Sequence, residues 1–268
     1  MAAANNGYIT EFSTVAPDPF YNAFKDTGFA PAISSVSLIY AILSAFGIGG
    51  NSTIVFVTLT NRSLQGTTCN YLLAALSFFD IFHQMSHFWF AYVTISGRNF
   101  IGLWTCLNVQ TIPLFGLNMA QFLLLFIGMD RFFSLLLPNI HESFNKRIYV
   151  FLVLVICASC SSYFVILAYQ FALQNPNVPV TCVLPECYRG YLVDLFFRIW
   201  TILNILTVLF YAAIWGMMRK ATTSSETTRR LFKSILIITL VLMLGFLTTG
   251  LLRTVTSYLP PSALNSEK

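Results

Sequence analysis

Three side chains that can bind a metal or carry a proton fall on one apolar stretch: Asp80, His83 and His87, at i, i+3 and i+7. On a helix this spacing gathers them on one face. Two imidazoles one turn apart suit zinc, and with the carboxylate they would make an intramembrane metal-dependent hydrolase. A third strong ligand has no obvious source, because the only other histidine, His141, lies in a connection far from this segment. Packing or a polar network is the preferred reading of the pair, so no metal, no cofactor and no catalytic residue is expected. Elsewhere, chemistry is carried by the acid–base dipeptide Asp130-Arg131 and by Asp194 and Arg198 at i, i+4. Among the six cysteines, Cys157 and Cys160 stand inside an apolar run without companion ligands, which disfavours a redox or zinc site there.

All of these groups sit in a chain that water could not solvate. Of its 268 residues, 56% are hydrophobic, 16% aromatic and only 9% charged, with 26 Phe and a mean hydropathy of +0.72. Soluble domains carry roughly 25% charged residues, so lipid must be a solvent. The net charge of +5 does not signal a nucleic-acid partner, because the basic residues lie in short segments between apolar runs rather than along one stripe. Residues 1–30 lack the basic start and compact apolar stretch of a secretory signal. The first span is then expected to direct its own insertion.

A helical span needs about 20 predominantly apolar residues. The segments 32–59, 71–95, 107–133, 148–173, 191–218 and 233–259 qualify, and the first and fourth hold no charged residue. The fold class is therefore an all-α membrane protein with a bundle at 32–259, preceded by an N-terminal segment, 1–31, and followed by a tail, 260–268. The connections are short, which makes consecutive helices antiparallel neighbours. Arg62, Lys146, Arg147, Arg219, Lys220, Arg229, Arg230 and Lys233 flank the odd connections, against Arg98 and Arg189 in the even ones. Lys and Arg favour the cytoplasmic side, so the N-terminus is expected outside. The sequons at Asn51 and Asn61 fall in a span and on the inner side, where neither is glycosylated.

The third span carries the most telling spacing. Cys106 opens it and Asp130-Arg131-Phe132 closes it, 25 residues from Cys106 to Arg131. At 1.5 Å per residue this is about 37 Å, the thickness of a whole membrane. Cys182 and Cys187 lie in the next outer connection, and either can reach Cys106. Asn51 lies in the first span and Asp80, near mid-membrane, in the second, where a hydrogen bond between them would serve the buried carboxylate.

This order of residues resembles the rhodopsin-type G-protein-coupled receptors: Gly50-Asn51, the acid Asp80, then Cys106 and Asp130-Arg131-Phe132. More narrowly it is similar to the nematode serpentine chemoreceptors of the Srsx class. That match rests on Cys69-Asn70-Tyr71-Leu72, Asp80 to Gln84, Gln110 to Gly116, Ile127 to Arg131, Asn204 to Tyr211 and Phe232-Lys233-Ser234. The resemblance implies a rhodopsin-like seven-helix bundle with six helices present, since no segment matching the seventh follows 233–259. It implies a plasma-membrane receptor that passes the binding of an extracellular small molecule or peptide to a heterotrimeric G protein. Asp130, Arg131 and Tyr211 would form the activation switch, with a positive-inside anchor as the plainer role of Arg131. Val180-Thr181-Cys182 with Pro185 looks more like the class pattern, so the implied disulfide is Cys106–Cys182.

The resemblance also places a ligand cavity among the outer halves of the third, fifth and sixth spans, which hold Pro113, Asp194, Arg198, Phe246 and Arg253. An ion pair between Asp194 and Arg198, with Arg253 snorkelling outward, is the plainer reading; recognition of an anionic ligand group is the sharper one. Pro113 stands where amine receptors have an aspartate, which disfavours a biogenic amine. Ala120 replaces a frequent serine near Asp80, which disfavours bound sodium. Phe246 takes the place of a toggle tryptophan and Thr248 that of a proline. A non-signalling truncated receptor is the main alternative, ahead of the hydrolase.

Overall fold

The computed structural model describes residues 19–220 except 63 and 144. The expected sixth span, with Phe246 and Arg253, lies outside the described residues. A short helix, α1 (Pro19–Phe24), precedes α2 (Pro31–Thr60), α3 (Thr68–Ile95), α4 (Leu103–Leu136), the short α5 (Pro138–Ser143), α6 (Lys146–Gln174) and α7 (Tyr191–Lys220). Two-residue strands, β1 (Ile101–Gly102) and β2 (Pro179–Val180), pair antiparallel, and a 3-10 turn covers Leu184–Cys187. The described residues form an all-α bundle whose long apolar helices are those of a membrane protein.

Local chemistry sets the helix ends. Pro31 occupies the first turn of α2, where its missing N–H costs nothing. Thr67 caps α3 by accepting from the Asn70 amide, and Asn145 caps α6 by accepting from the Arg147 and Ile148 amides. No side chain caps α4. Instead its first amides, on Leu103 and Trp104, donate to the carbonyls of Val178 and Pro176, so the β2 segment seals the buried start of the central helix. At Gly102 a Cβ would meet the Pro176 carbonyl at 3.1 Å, which explains a glycine at that crossing.

Helix α4 is the axis of the bundle, packed against α3, α6 and α7, while α3 is held between α2 and α4. In its most apolar window 67% of α4 is buried, against 22–28% for α2, α6 and α7, so lipid must cover the outer three. Their exposed side chains are large and apolar, Phe46, Phe56, Phe151 and Leu173 among them. In water such a surface would aggregate. Among the described residues, four helices are long and apolar enough to cross a membrane. The fifth long one, α3, falls short in hydropathy because Asp80, His83, Gln84 and His87 crowd its middle.

The approach of α3 to α4 is set by a glycine. A Cβ at Gly116 would stand 2.7 Å from the Phe79 carbonyl and 2.9 Å from Phe82 Cβ. Gly128 also faces a neighbour, Tyr211, but there the nearest atom would be at an ordinary 3.5 Å. Gly116→Ala is expected to destabilise the bundle by about 1–3 kcal/mol through backbone crowding. Gly128→Ala should be neutral or slightly stabilising, since alanine favours a helix by up to about 1 kcal/mol over glycine. Thermal melts of the two variants in detergent, compared with wild type, check the contrast.

Candidate functional site

At the far end of α4 from Cys106, the Asp130 carboxylate is fully buried. A buried charge must be answered by protein groups, and here three elements answer it. Thr68 Oγ1 at the start of α3 donates to Oδ1 at 2.8 Å, and His141 Nε2 in α5 stands 3.0 Å from the same oxygen. Arg131 Nη2 lies 3.4 Å from Oδ2, close enough for ion pairing but not aimed as a hydrogen bond. The guanidinium is also within electrostatic reach of Tyr211 on α7 and Tyr149 on α6. Tyr211 is itself buried and packs beside Ile214, Phe132 and Trp215. The three expected switch residues are thus together, with Thr68, His141 and Tyr149 added to them.

Midway along the bundle, Asp80 lines a cavity of about 80 Å³ with His83, Gln84, Ala120 and Gln121. The expected hydrogen bond to Asn51 is not formed. The Gln84 carboxamide fills the groove over Gly47, which puts Asn51 at the level of Asp80 one turn along each antiparallel helix. Even so, the carboxylate faces His83 Nδ1, 3.7 Å away in its own helix. His87 stacks on Tyr40, and among the described residues no three His, Cys, Asp or Glu form a group that could hold a metal ion.

At the Cys106 end the disulfide joins Cys106 to Cys182, tying the loop after α6 to α4. Cys187 Sγ stays a thiol 4.0 Å from Cys106 Sγ. Burial, with Glu186 beside it, pushes this thiol up to about 12. Glu186 shapes the loop: Oε2 accepts from the Thr181 amide and hydroxyl at 2.6 and 2.8 Å, and Oε1 pairs with Arg189. Gln110 Nε2 donates to the Cys182 and Ser86 carbonyls, fixing the loop to both α4 and α3. Asn99, left-handed at φ 55°, donates to the Phe24 and Gly28 carbonyls and so stitches the N-terminal segment to the loop after α3.

The candidate cavity residues divide. Pro113 is buried within α4. Asp194 and Arg198 are both exposed, on the side of α7 away from its buried stripe of Phe196, Trp200, Asn204, Thr207 and Tyr211. The interior at this level is lined by groups that the sequence reading passed over. Tyr188, Asn118, Phe164 and Phe196 meet there, and Gln121 Nε2 donates to Asn204 Oδ1 at 2.9 Å one level below. One signal was available: Gln110, Asn118 and Gln121 fall on one face of α4, where amides would not face lipid.

A bundle joined by short loops, with a Cys106–Cys182 bridge at one end and a buried Asp130-Arg131 at the other, defines a membrane receptor of the seven-helix kind. Residues 44–267 match the family described as serpentine type 7TM GPCR chemoreceptor Srsx, and the chain belongs to that family. It is also 26% identical over 203 residues to the human protein named probable G-protein coupled receptor 19, covering 74% of this chain. The chain spans about half the length of that relative, 48%. Family and relative alike are receptors rather than enzymes.

Thr68→Val and His141→Phe keep shape while each removes one partner of Oδ1. Each is expected to cost about 1–3 kcal/mol, the penalty of a buried polar group left short of a bond, read as a lowered melting temperature. Cys187 is expected to resist a maleimide at pH 8 in the folded protein, where its thiol is neutral and covered. It should be labelled once the chain is unfolded and its pKa returns to about 8.5; mass mapping of the modified cysteines distinguishes the two states.

Proposed function

We propose that the chain is a chemosensory receptor of the plasma membrane with its N-terminus outside. An extracellular small ligand, bound at the Cys106 end, promotes engagement of a heterotrimeric G protein at the Arg131 end. The observation that carries this reading is the buried Asp130 carboxylate held by Thr68, His141 and Arg131. A positive-inside anchor would leave the arginine free to reach water and headgroups. Here Arg131 is only 22% exposed and lies between a buried acid and the Tyr211 face of α7. That arrangement has two plausible partners for one cation, which is what a switch requires.

Activation in this reading is a shift of population. Ligand binds better to the arrangement in which Arg131 has left Asp130, and the equilibrium follows that differential affinity. The ion pair and the two hydrogen bonds to Asp130 favour the resting arrangement. In this reading Tyr211, buried and set against Gly128, receives the guanidinium once it is released.

The test is nucleotide exchange on a panel of Gα subunits in membranes, with surface display measured beside it. Arg131→Ala is expected to reduce exchange to the level of membranes lacking the chain. Asp130→Asn removes the ion pair of the resting arrangement and should raise basal exchange on the order of tenfold, which corresponds to about 1.4 kcal/mol on a two-state equilibrium. A well-displayed wild-type chain that drives no exchange with any Gα, with or without a broad ligand panel, would sink the proposal in favour of a non-signalling receptor.

A further inference from the structure

The cavity end of the bundle already contains an aromatic guest. Tyr188 follows directly on Cys187 in the loop, yet only 1% of it is exposed. Its ring stacks on Phe196 at 4.3 Å and meets Phe164 edge-on, while Trp200 backs Phe196 at 4.3 Å. Its hydroxyl accepts from Asn118 Nδ2 at 2.8 Å. Asn118 lies 12 residues into the helix from Cys106, about 18 Å down the axis. A loop side chain therefore reaches deep between α4, α6 and α7.

The groups around this ring describe a ligand. Asn118 Nδ2 also donates to the Leu114 carbonyl, which fixes the amide orientation and leaves Oδ1 as an acceptor. Among the described residues that buried oxygen has no partner, and neither has Gln110 Oε1 or Gln121 Oε1 on the same face of α4. Unanswered buried acceptors favour a donor. No carboxylate faces the ring from α4, α6 or α7: Asp194 is exposed on the far side of α7, and Glu186 is engaged by Thr181 and Arg189. Burial raises the pKa of the Tyr188 phenol, so the present guest is neutral.

We propose that Tyr188 is a built-in occupant of the ligand subsite, and that the ligand displacing it is a neutral phenol whose hydroxyl pairs with Asn118. This rests on the receptor reading above, and it supplies the ligand class. The guest is tethered but removable, because five residues separate it from the Cys182 anchor. Its departure is felt at the other end. The buried stripe of α7 runs from Phe196 through Trp200, Asn204 and Thr207 to Tyr211, 15 residues or about 22 Å. A change of packing at Phe196 thus bears on the helix that carries Tyr211 to Arg131.

Purified full chain carrying Tyr188→Ala is melted in detergent with p-cresol, toluene or N-acetyl-tyrosinamide, beside wild type and Tyr188→Phe. p-Cresol is expected to raise the melting temperature of Tyr188→Ala, and that of wild type much less, because there it must first displace the tethered ring. Its half-saturating concentration should be about fivefold below that of toluene, the worth of one hydrogen bond, and Asn118→Leu should erase that preference. N-acetyl-tyrosinamide acting as well as p-cresol assigns a tyrosyl peptide; p-cresol acting alone assigns a small phenol. Equal effects of p-cresol and toluene, or equal shifts in wild type, overturn the proposal. If Tyr188→Ala does not fold unaided, recovery of its surface display by p-cresol but not toluene supports it, and recovery by neither overturns it. The melt needs no G protein, so this outcome is independent of whether the chain signals.

Discussion

A helix buried along two-thirds of its most apolar window must find a protein partner for every polar side chain it carries. That constraint on α4 organises the rest of the bundle. Gln110 is answered by carbonyls of α3 and of the loop after α6, and Asn118 by Tyr188. Gln121 is answered by Asn204 of α7, and Asp130 by Thr68 of α3 and His141 of α5. Each of these four residues of the central helix binds a different neighbour at a different depth. In lipid, apolar packing alone discriminates weakly between helix arrangements, and small residues and interhelical hydrogen bonds supply much of the specificity. These contacts fix the register of α3, α7 and the loop against one axis.

The same logic joins the two ends. The disulfide fixes Cys182 against the start of α4, and Gln110 repeats the restraint with a hydrogen bond to the Cys182 carbonyl. The segment beyond is therefore anchored at its root while Tyr188 reaches inward. At the opposite end Asp130 is surrounded by groups from α3, α4 and α5, and Arg131 reaches toward α6 and α7. Between them α7 presents one continuous buried stripe, tied to α4 at mid-height by Gln121 to Asn204.

Much of the architecture was legible in the sequence for a simple physical reason. Helices that must satisfy their own backbone in lipid appear as long apolar runs, and α2, α4, α6 and α7 lie over the runs at 32–59, 107–133, 148–173 and 191–218. The Cys106–Cys182 pairing followed from family resemblance, since spacing alone left Cys187 open, and the third sulfur does lie only 4.0 Å away. Tertiary choices were less legible. Asn51 and Asp80 share a level, but the short aspartate side chain settles toward His83 instead. Asp194 and Arg198 have cavity-like positions along α7, yet helical phase turns them away from its buried stripe. Tyr188 was invisible as a site residue, because nothing in a loop sequence says that its side chain will enter the bundle.

That last case bears on what kind of receptor this is. Among the described residues, the interior around Tyr188, built from aromatic rings and amide groups, presents no carboxylate from α4, α6 or α7 to pair with a cation. A ligand seated there would be ranked by its shape and by the donors it brings. Amide oxygens left without donors are costly when dry, on the order of 1–3 kcal/mol each, so the resting bundle holds this part of its core in an unfavourable state. Tyr188 accepts from Asn118 Nδ2 and, among the described residues, leaves Asn118 Oδ1 without a donor. A ligand that stacks as Tyr188 does but is free to turn its hydroxyl toward Asn118 Oδ1 gains a bond that the tethered ring does not make here. The competition between them is set by that difference, and not by the apolar contacts, which both make alike.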